Sequence, residues 1–566
     1  MSKSLAWTVW VITATLLGLF FAWPLVITIG QAFFDRNHNN QFTLSFIAEV
    51  FKNPIYVEGL RNSFFLGVCS TIVSLLIALP LALISDRFDF PGKKALTAVV
   101  LVPMILPPFV GAIGLRQMFG QYGAFNALLH HLGLLAPGHT VDWLGGGQFW
   151  GVVIVQSLNL YPILFLNLTA ALANVDPAME EAAANLGCTG FRRFRRITLP
   201  LIMPGVFAGG TIVFIFAFTE LGTPLVFDYS RCAAAQIFQS IKEISGNPMP
   251  FALVSVMLAS TLLLYLTSKF VFGRSQHAMM AKATTSGGPR KLSGLPAWLC
   301  ALGFTGVTLI SLLPHIGVVL VSFSGDWYNS VLPSEFTTAH YQSALGHYLT
   351  VPSIINSLKY ASLSVVFDIF LGLAIAYVIV RTKLPGRHVL DALAMLPLAV
   401  PGLVLAFGYL GMTQPGMFFE ALNPSKDPLP LLVIAYAIRR LPYVVRSAVA
   451  GLQQTSETLE EAAQNLGCPP LRTLRRITFP LIAANVLAGG LLAFSFAMLE
   501  VSDSLILAQR QSDFPITKAI YELFNLIGDG KFLAAALGVW AMCFLGLTIA
   551  VASKVLGKKL GALFRA

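Results

Sequence analysis

Long apolar stretches separated by short polar segments dominate the pattern of this chain. Twelve of them reach about 20 residues, which is enough for a helix to cross a hydrocarbon core of ~30 Å. They lie at about 5–33, 63–85, 96–118, 149–173, 199–223, 251–272, 296–322, 357–380, 389–412, 429–452, 479–508 and 532–553. The pattern therefore predicts an all-α, polytopic membrane protein with twelve transmembrane helices.

Composition agrees, because 56% of the 566 residues are hydrophobic and only 11% are charged. The net charge of +11 could indicate a nucleic-acid partner. However, most Lys and Arg residues fall in segments that are cytoplasmic if the amino terminus starts inside, which is the positive-inside bias. We therefore predict membrane lipid around the chain, both termini in the cytoplasm and no nucleic acid. The first apolar stretch is too long for a signal-peptide core and is expected to be a retained anchor.

The six cysteines show no CxxC pair and no metal-ligand spacing. A free cysteine usually behaves as a small hydrophobic residue. We therefore expect no metal site and no cofactor in this chain.

The second half of the chain repeats the first. Asn62-Ser63 matches Asn356-Ser357 at an offset of 294, and after the third apolar stretch the offset falls to 280. Each half has six predicted spans, so both halves insert with the same orientation. The predicted organisation is a first repeat at 1–273, a polar and flexible cytoplasmic linker at 274–295, and a second repeat at 296–566.

The strongest repeat lies in two polar, basic loops at 176–198 and 456–478. Aligning Pro177–Gly210 with Glu457–Gly490 gives 20 identities in 34 positions without a gap. Each loop predicts a short helix, capped by Asp176 or Ser456 and stopped by a glycine, followed by a basic helix. One such loop could serve only to fix topology. Two nearly identical copies favour two matched docking points for a soluble partner.

These residues resemble the signature loop of binding-protein-dependent ABC importer permeases. The motif stands here as Glu181-Ala182-Ala183, Gly187 and Ile197-Thr198-Leu199-Pro200, and again as Glu461-Ala462-Ala463, Gly467 and Ile477-Thr478-Phe479-Pro480. The departure at Phe479 is conservative. The resemblance covers essentially the whole chain. Because both loops stand in one chain, it looks like the fused permeases of ferric-iron, thiamine and 2-aminoethylphosphonate importers.

The resemblance implies two fused six-helix, type I (MetI-like) permease repeats in a bacterial inner membrane. It also implies two copies of a cytoplasmic ABC ATPase and an external solute-binding protein as partners. The chain would be a non-catalytic transport subunit, with ATP and Mg bound by the partner, and it has no G-x-x-x-x-G-K-[ST] phosphate loop of its own. The residues implied in ATPase coupling are Glu180, Glu181, Ala182, Ala183, Gly187, Arg192, Glu460, Glu461, Ala462, Ala463, Gly467 and Arg472.

Charged residues inside the apolar stretches are candidates for the translocation pathway, because they are costly to bury there. Glu220 and Glu500 match across the repeat and would suit a cation or an amine, or they could simply be bonded between helices. Arg439 and Arg440 could attract an anion, or they could pair with Asp368 or Asp503. Asp503 is a candidate as well. The prolines of the third and ninth stretches could expose pore-lining carbonyls, although simple bends are the preferred interpretation.

Acidic and basic groups together would suit a zwitterion, so 2-aminoethylphosphonate is the first expectation, with ferric iron and thiamine close behind. Two other classes compete with an ABC permease. An ion-coupled secondary transporter with two fused six-helix halves would transport without ATP, and it gives no reason for twin loops. A membrane enzyme or assembly scaffold predicts clustered His, Asp or Ser groups within the spans, whereas His315 is the one histidine inside a predicted span.

Overall fold

The computed structural model describes residues 3–35, 41–136, 138–145, 148–243, 247–272 and 290–556, and most of these are helical. The first half contains α1 (Lys3–Leu17), α2 (Trp23–Phe33), α3 (Ser45–Lys52), α4 (Pro54–Arg87), α5 (Lys93–Val99), α6 (Val102–Ile105), α7 (Pro108–Phe119), α8 (Ala124–His131), α9 (Phe149–Leu172), α10 (Pro177–Asn185), α11 (Gly190–Arg193), α12 (Leu199–Thr219), α13 (Gly222–Val226), α14 (Ala233–Gln239) and α15 (Met249–Phe272).

The second half follows a parallel plan. It contains α16 (Leu295–Phe323), α17 (Ala339–Gly346), α18 (Thr350–Arg381), α19 (Arg387–Met395), α20 (Gly402–Met412), α21 (Leu429–Gln454), α22 (Thr458–Asn465), α23 (Pro470–Thr473), α24 (Phe479–Met498), α25 (Ser502–Leu507), α26 (Ile516–Phe524) and α27 (Gly530–Leu556). One π-helical turn precedes α12 at Phe194–Thr198 and another precedes α24 at Leu474–Thr478.

The described residues also contain three short two-stranded β-sheets. They are β1 (Phe34–Asp35) with β2 (Gln41–Phe42), β3 (Phe88–Asp89) with β4 (Arg290–Lys291), and β5 (Ser324–Asp326) with β6 (Glu335–Phe336). The parallel β3–β4 pair lies at the end of the predicted linker 274–295, of which residues 274–289 fall outside the described residues. This pairing places the start of the second half beside the turn that follows α4.

Nine helices within the described residues are long and apolar enough to cross a membrane, and each of two bent pairs adds one more if it counts as a single span. The twelve predicted spans therefore become nine to eleven. The difference lies at predicted span ten. That segment is the 26-residue helix α21, which carries Arg439, Arg440 and Arg446 and so is too polar to resemble an isolated spanning helix.

The two bent pairs are the predicted third and ninth spans. The first turns by 90° between Lys93–Met104 and Pro108–His131, and the second turns by 99° between Arg387–Leu398 and Gly402–Met412. Proline lacks a backbone N–H and forces the preceding residue out of the helical region, so the ladder is interrupted at each turn. The bends expected from the sequence are therefore present, and they are sharp enough to break each span into two helices.

Each half packs three long helices into a core, α4 with α9 and α12 in the first and α18 with α21 and α24 in the second. The first span of each half also packs against the other half, because α16 packs on α7 and α2 packs on α20. Glycines permit both crossings. A Cβ added to Gly114 would lie 2.1 Å from the Pro314 carbonyl oxygen, and one added to Gly408 would lie 2.7 Å from that of Pro24.

Candidate functional site

The two loops at 176–198 and 456–478, called here the first and second elbows, have the same backbone. Asp176 caps α10 by accepting a hydrogen bond from Ala178 N at 2.9 Å. Ser456 Oγ accepts one from Thr458 N at 3.3 Å, although the residue immediately before α22 is Glu457. Both helices end at a left-handed glycine, with φ +79° at Gly187 and +81° at Gly467.

The glycines are required by backbone conformation and not by crowding. A Cβ added at either position would meet nothing within 4 Å, yet non-glycine residues are disfavoured in the left-handed region. The turn is also bonded alike in the two elbows. Cys188 N donates to Ala183 O at 2.8 Å, and Cys468 N donates to Ala463 O at 3.0 Å.

Most of the predicted coupling residues face outward on both elbows. Those that are exposed are Glu181, Ala182, Gly187, Arg192, Glu461, Ala462, Gly467 and Arg472. Ala183 and Ala463 are buried and pack the elbow against the rest of the protein. The first glutamate of each elbow also turns inward, because Glu180 is half-buried and Glu460 is 7% exposed.

Two matched leucines that the sequence analysis did not single out are the most prominent apolar side chains of the elbows. Leu186 is 88% exposed and Leu466 is 89% exposed. Seven residues earlier, on the same face of each helix, Met179 and Leu459 are about half exposed. Their shared offset of 280 was the signal that could have revealed them. Each elbow therefore displays a small apolar surface next to its basic residues.

Glu180 and Glu460 are bound by arginines of the same half. Arg87 Nη2, at the end of α4, lies 2.7 Å from Glu180 Oε1, and Arg381 Nε, at the end of α18, lies 3.1 Å from Glu460 Oε1. Arg87 and Arg381 match at the offset of 294. These two glutamates therefore bind side chains of their own half, and the outer surface of each elbow consists of the exposed residues.

The centre of the second half contains a buried network of charges. Glu500 is 5% exposed and accepts hydrogen bonds from both Arg439 and Arg440. Arg439 also lies 3.4 Å from Asp503, which is fully buried. Asp368 is fully buried too, and neither of its carboxylate oxygens has a hydrogen-bond partner within the described part of the chain. The pairing of Arg439 with Asp503 was among the alternatives predicted, whereas its pairing with Glu500 was not.

At the positions that match this network, the first half is neutral apart from Glu220. At the position of Arg439 stands Asn159, which donates to the carbonyl oxygens of Pro103 and Leu106 at 2.6 and 3.1 Å, so it binds the break before α7. At the position of Asp503 stands Thr223, whose backbone N–H donates to Glu220 at 3.3 Å. The two halves meet here, because a Cβ added to Gly222 would lie 2.9 Å from Val501 Cγ1.

The end of the bundle opposite the elbows, called here the far side, is closed by α14 and α26. The rings of Phe238 and Tyr521 meet edge to face at 6.0 Å, one from each half. Lys518 Nζ lies 5.6 Å from the centre of the Phe238 ring and 3.3 Å from Glu522. Burial lowers the pKa of Lys518, and the Glu522 carboxylate opposes that shift.

No cluster of three or more His, Cys, Asp or Glu side chains that could hold a metal ion occurs in the described ranges. Glu500 and Asp503 are occupied by arginines.

A family model described as "Binding-protein-dependent transport system inner membrane component" matches residues 78–280 and again residues 368–553. The chain belongs to this family. Each matched segment contains one elbow, so the chain is a fused, duplicated permease with two MetI-like domains. It is a multi-pass, inner-membrane permease component of an ABC importer that depends on a binding protein.

Curated relatives align with both halves of this chain. A ferric transport system permease protein, FbpB, of Actinobacillus pleuropneumoniae is 29% identical over 91% of this chain and 73% of its own length. A putative ferric transport system permease protein of Haemophilus influenzae is 30% identical over 84% of this chain and 73% of its own. A thiamine transport system permease protein, ThiP, of Brucella abortus is 27% identical over 86% of each chain.

Proposed function

We propose that this chain is the translocation subunit of an ATP-driven importer, with one cytoplasmic ATPase subunit docked on each elbow and an external binding protein delivering solute to the far side. The observation that carries the proposal is the matched construction of the two elbows. A pair of identical motor subunits needs two similar docking surfaces, and two matched elbows fit that need. ATP and Mg would be bound by those subunits, and the elbow side, with both termini, would be cytoplasmic.

Exposed leucines and arginines make a suitable contact surface. Burial of Leu186 and Leu466 against a partner would remove apolar area from water, and the neighbouring Arg192 and Arg472 would orient that partner through charge. An ion-coupled secondary transporter is not favoured, because it gives no role to two such surfaces.

The solute is proposed to be ferric iron, delivered by the binding protein, with thiamine second. Two relatives named for ferric transport align with most of this chain. Of the paired glutamates, Glu220 forms no ion pair within the described residues, so it is the carboxylate best placed to meet a passing cation. The 2-aminoethylphosphonate expectation stays a prediction, with Arg439 and Arg440 already engaged by acidic side chains.

Substitution of both elbow glycines tests the docking. Gly187→Leu with Gly467→Leu forces leucine into the left-handed region, at a cost of roughly 1–2 kcal/mol per site, which corresponds to a factor of about 5–30 at each docking equilibrium. We expect ATP-driven uptake of radioactive ferric iron into proteoliposomes to fall by at least that factor. The proteoliposomes would contain the chain, its ATPase subunits and its binding protein.

Gly528→Leu is the matched control. Gly528 has φ +83° and open space around it, as the elbow glycines do, but it lies in the far-side turn before α27. The same strain there should leave ATPase docking unchanged. Undiminished uptake by the double elbow variant would contradict the proposal, and parallel uptake of labelled thiamine and 2-aminoethylphosphonate would decide the solute.

A further inference from the structure

Helix α4 ends in a side chain that holds both arms of the first elbow. Arg87 Nη2 donates to Glu180 Oε1 of α10 at 2.7 Å and to Thr198 Oγ1, at the start of α12, at 3.1 Å. Thr198 also donates to Glu180. Movement of the elbow therefore pulls on the end of α4.

Helix α18 ends in the same way but with more contacts. Arg381 donates to Glu460, and it also donates to the carbonyl and hydroxyl oxygens of Thr455, both at 2.9 Å. Tyr377 O–H donates to the other Glu460 oxygen at 3.2 Å. The Arg381 and Glu460 side chains are 6% and 9% exposed, whereas those of Arg87 and Glu180 are 27% and 21% exposed. The second connection is therefore the more buried of the two and has more hydrogen bonds.

The opposite ends of these helices hold the far-side helices. Ser63 Oγ, in α4, accepts a hydrogen bond from Ala233 N at 3.0 Å, where α14 starts. Ser357 Oγ, in α18, accepts one from Ile516 N at 2.7 Å, where α26 starts. The preceding asparagines donate to backbone oxygens just before each helix, Asn62 to Arg231 O and Asn356 to Ser512 O.

Each long helix therefore joins an elbow to a far-side helix of its own half. Ser63 to Arg87 and Ser357 to Arg381 both span 24 residues, which is roughly 36 Å of helix at 1.5 Å per residue. The driven elements at the far side are α14 and α26, which touch through Phe238 and Tyr521. Helices are stiff over this length, so a displacement at one end is transmitted to the other.

We propose that α4 and α18 are levers that convert elbow movement into separation of α14 from α26, with Arg87 and Arg381 as the positioning residues that attach each lever to its elbow. The inference rests on the proposed function, because it needs an ATPase to move the elbows.

The two levers differ in stiffness. Pro80 lies inside α4, where it removes one helical hydrogen bond. The matching residue of α18 is Ala374. The second lever is therefore unbroken and more firmly attached, so loss of Arg381 has a larger effect than loss of Arg87.

The test measures far-side opening directly and needs no solute. Spin labels are placed at Gln239 and Asn525, which are exposed on α14 and just after α26, in a chain whose six native cysteines are replaced. The chain is assembled in lipid nanodiscs with its ATPase subunits and binding protein. The distance between the labels is measured by pulsed electron paramagnetic resonance with and without ATP and vanadate, together with ATPase activity.

Nucleotide should widen the wild-type distance. Arg381→Gln should keep ATPase activity and lose most of the widening, Arg87→Gln should lose less, and the exchange R381E with E460R should restore it. The control is Arg446→Gln, which breaks an ion pair of 3.4 Å with Asp391 between α21 and α19, two helices that lie outside the elbows. In that variant, nucleotide should widen the distance between the labels as it does in the wild type.

Other outcomes separate the two proposals. Widening that is unchanged in Arg381→Gln, or a charge exchange that assembles without restoring the widening, overturns the lever. If Arg381→Gln fails to assemble, the exchange variant alone decides between the same two results. A wild-type complex that shows neither ATPase activity nor nucleotide-dependent widening overturns the proposed function itself.

Discussion

The two halves make the same contacts at the elbow end of the bundle but differ in sequence and contacts at its centre. At the elbows, matched residues make matched contacts, because Arg87 with Glu180 and Arg381 with Glu460 form the same ion pair. At the centre, Asn159 of the first half stands where the second half has Arg439, and Thr223 stands where it has Asp503. Under the proposed function, two identical ATPase subunits account for the sameness at the elbows. A solute without two-fold symmetry, passing between the halves, accounts for the difference at the centre.

The differences at the centre form a compensated set. The second half gains Arg439, Arg440 and Asp503, whose charges balance once the matched Glu500 is included. It also gains Asp368, which stands where the first half has Ser74 and has no hydrogen-bond partner within the described residues. Burying any one of these charges alone would be costly, because the attraction of a partner is needed to offset desolvation. The second half also provides space for the Arg439 side chain. A Cβ on Gly402 would lie 2.1 Å from Arg439 Nη1, and the matching residue of the first half is Pro108.

Removal of the matched glutamate of each half, Glu500 or Glu220, should produce the largest difference in stability between the halves. Glu500→Gln leaves Arg440 without its acidic hydrogen-bond partner and Arg439 with only Asp503, so we expect a loss of about 3–5 kcal/mol in the free energy of unfolding. Glu220→Gln keeps an acceptor for Thr223 and should cost roughly 0–1 kcal/mol. Both losses of stability are measured by unfolding the detergent-solubilised variants with heat or denaturant.

Equal losses in the two variants would contradict this contrast. They would mean that Glu220 is held as tightly as Glu500, and that the centre of the bundle is symmetric in energy although not in sequence.

Filling the space beside Arg439 should have an intermediate effect. Gly402→Ala pushes the guanidinium away from Glu500 and weakens a charged hydrogen bond, which costs about 1.5–3 kcal/mol. Combined with Glu500→Gln, the two losses should be non-additive by roughly 0.5–3 kcal/mol, because both act on one network. Gly303→Ala is the control, since it lies in α16 with nothing within 4 Å and should be neutral or slightly stabilising. Strict additivity would show that Gly402 and Glu500 act separately.

The same contrast explains which features of the structure could be predicted from the sequence. The elbow helices, their stopping glycines and the duplication were predictable, because they depend on local signals such as Asp176, Gly187 and a direct repeat. Span ten was predicted from its apolar residues, but the sequence could not show how Arg439 and Arg440 are accommodated there, since both are neutralised only by residues about 60 positions away. The contacts of Arg87 and Arg381 are equally non-local, although their matched positions pointed to a shared role.

The smallest expected effect compares the far-side loops that follow the broken spans. In the second half, Gly416 N donates to Glu420 at 2.8 Å, and that hydrogen bond, aided by Lys426, holds the pKa of Glu420 below its ordinary value of 4.5. In the first half, Val141 N donates to the side-chain oxygen of Asn126 at 3.2 Å, and an amide does not titrate in this range.

A carboxyl group whose pKa is lower in the folded state stabilises that state above its ordinary pKa, and the contribution is lost as the pH falls through the folded value. Hydrogen-exchange protection of the Gly416 amide, corrected for the intrinsic rate at each pH, should therefore decline below pH 4.5, while that of Val141 stays level. Glu420→Gln should remove the pH dependence. If both amides lost protection together, acid would be loosening the far side as a whole, and the two loops would not differ in what holds them.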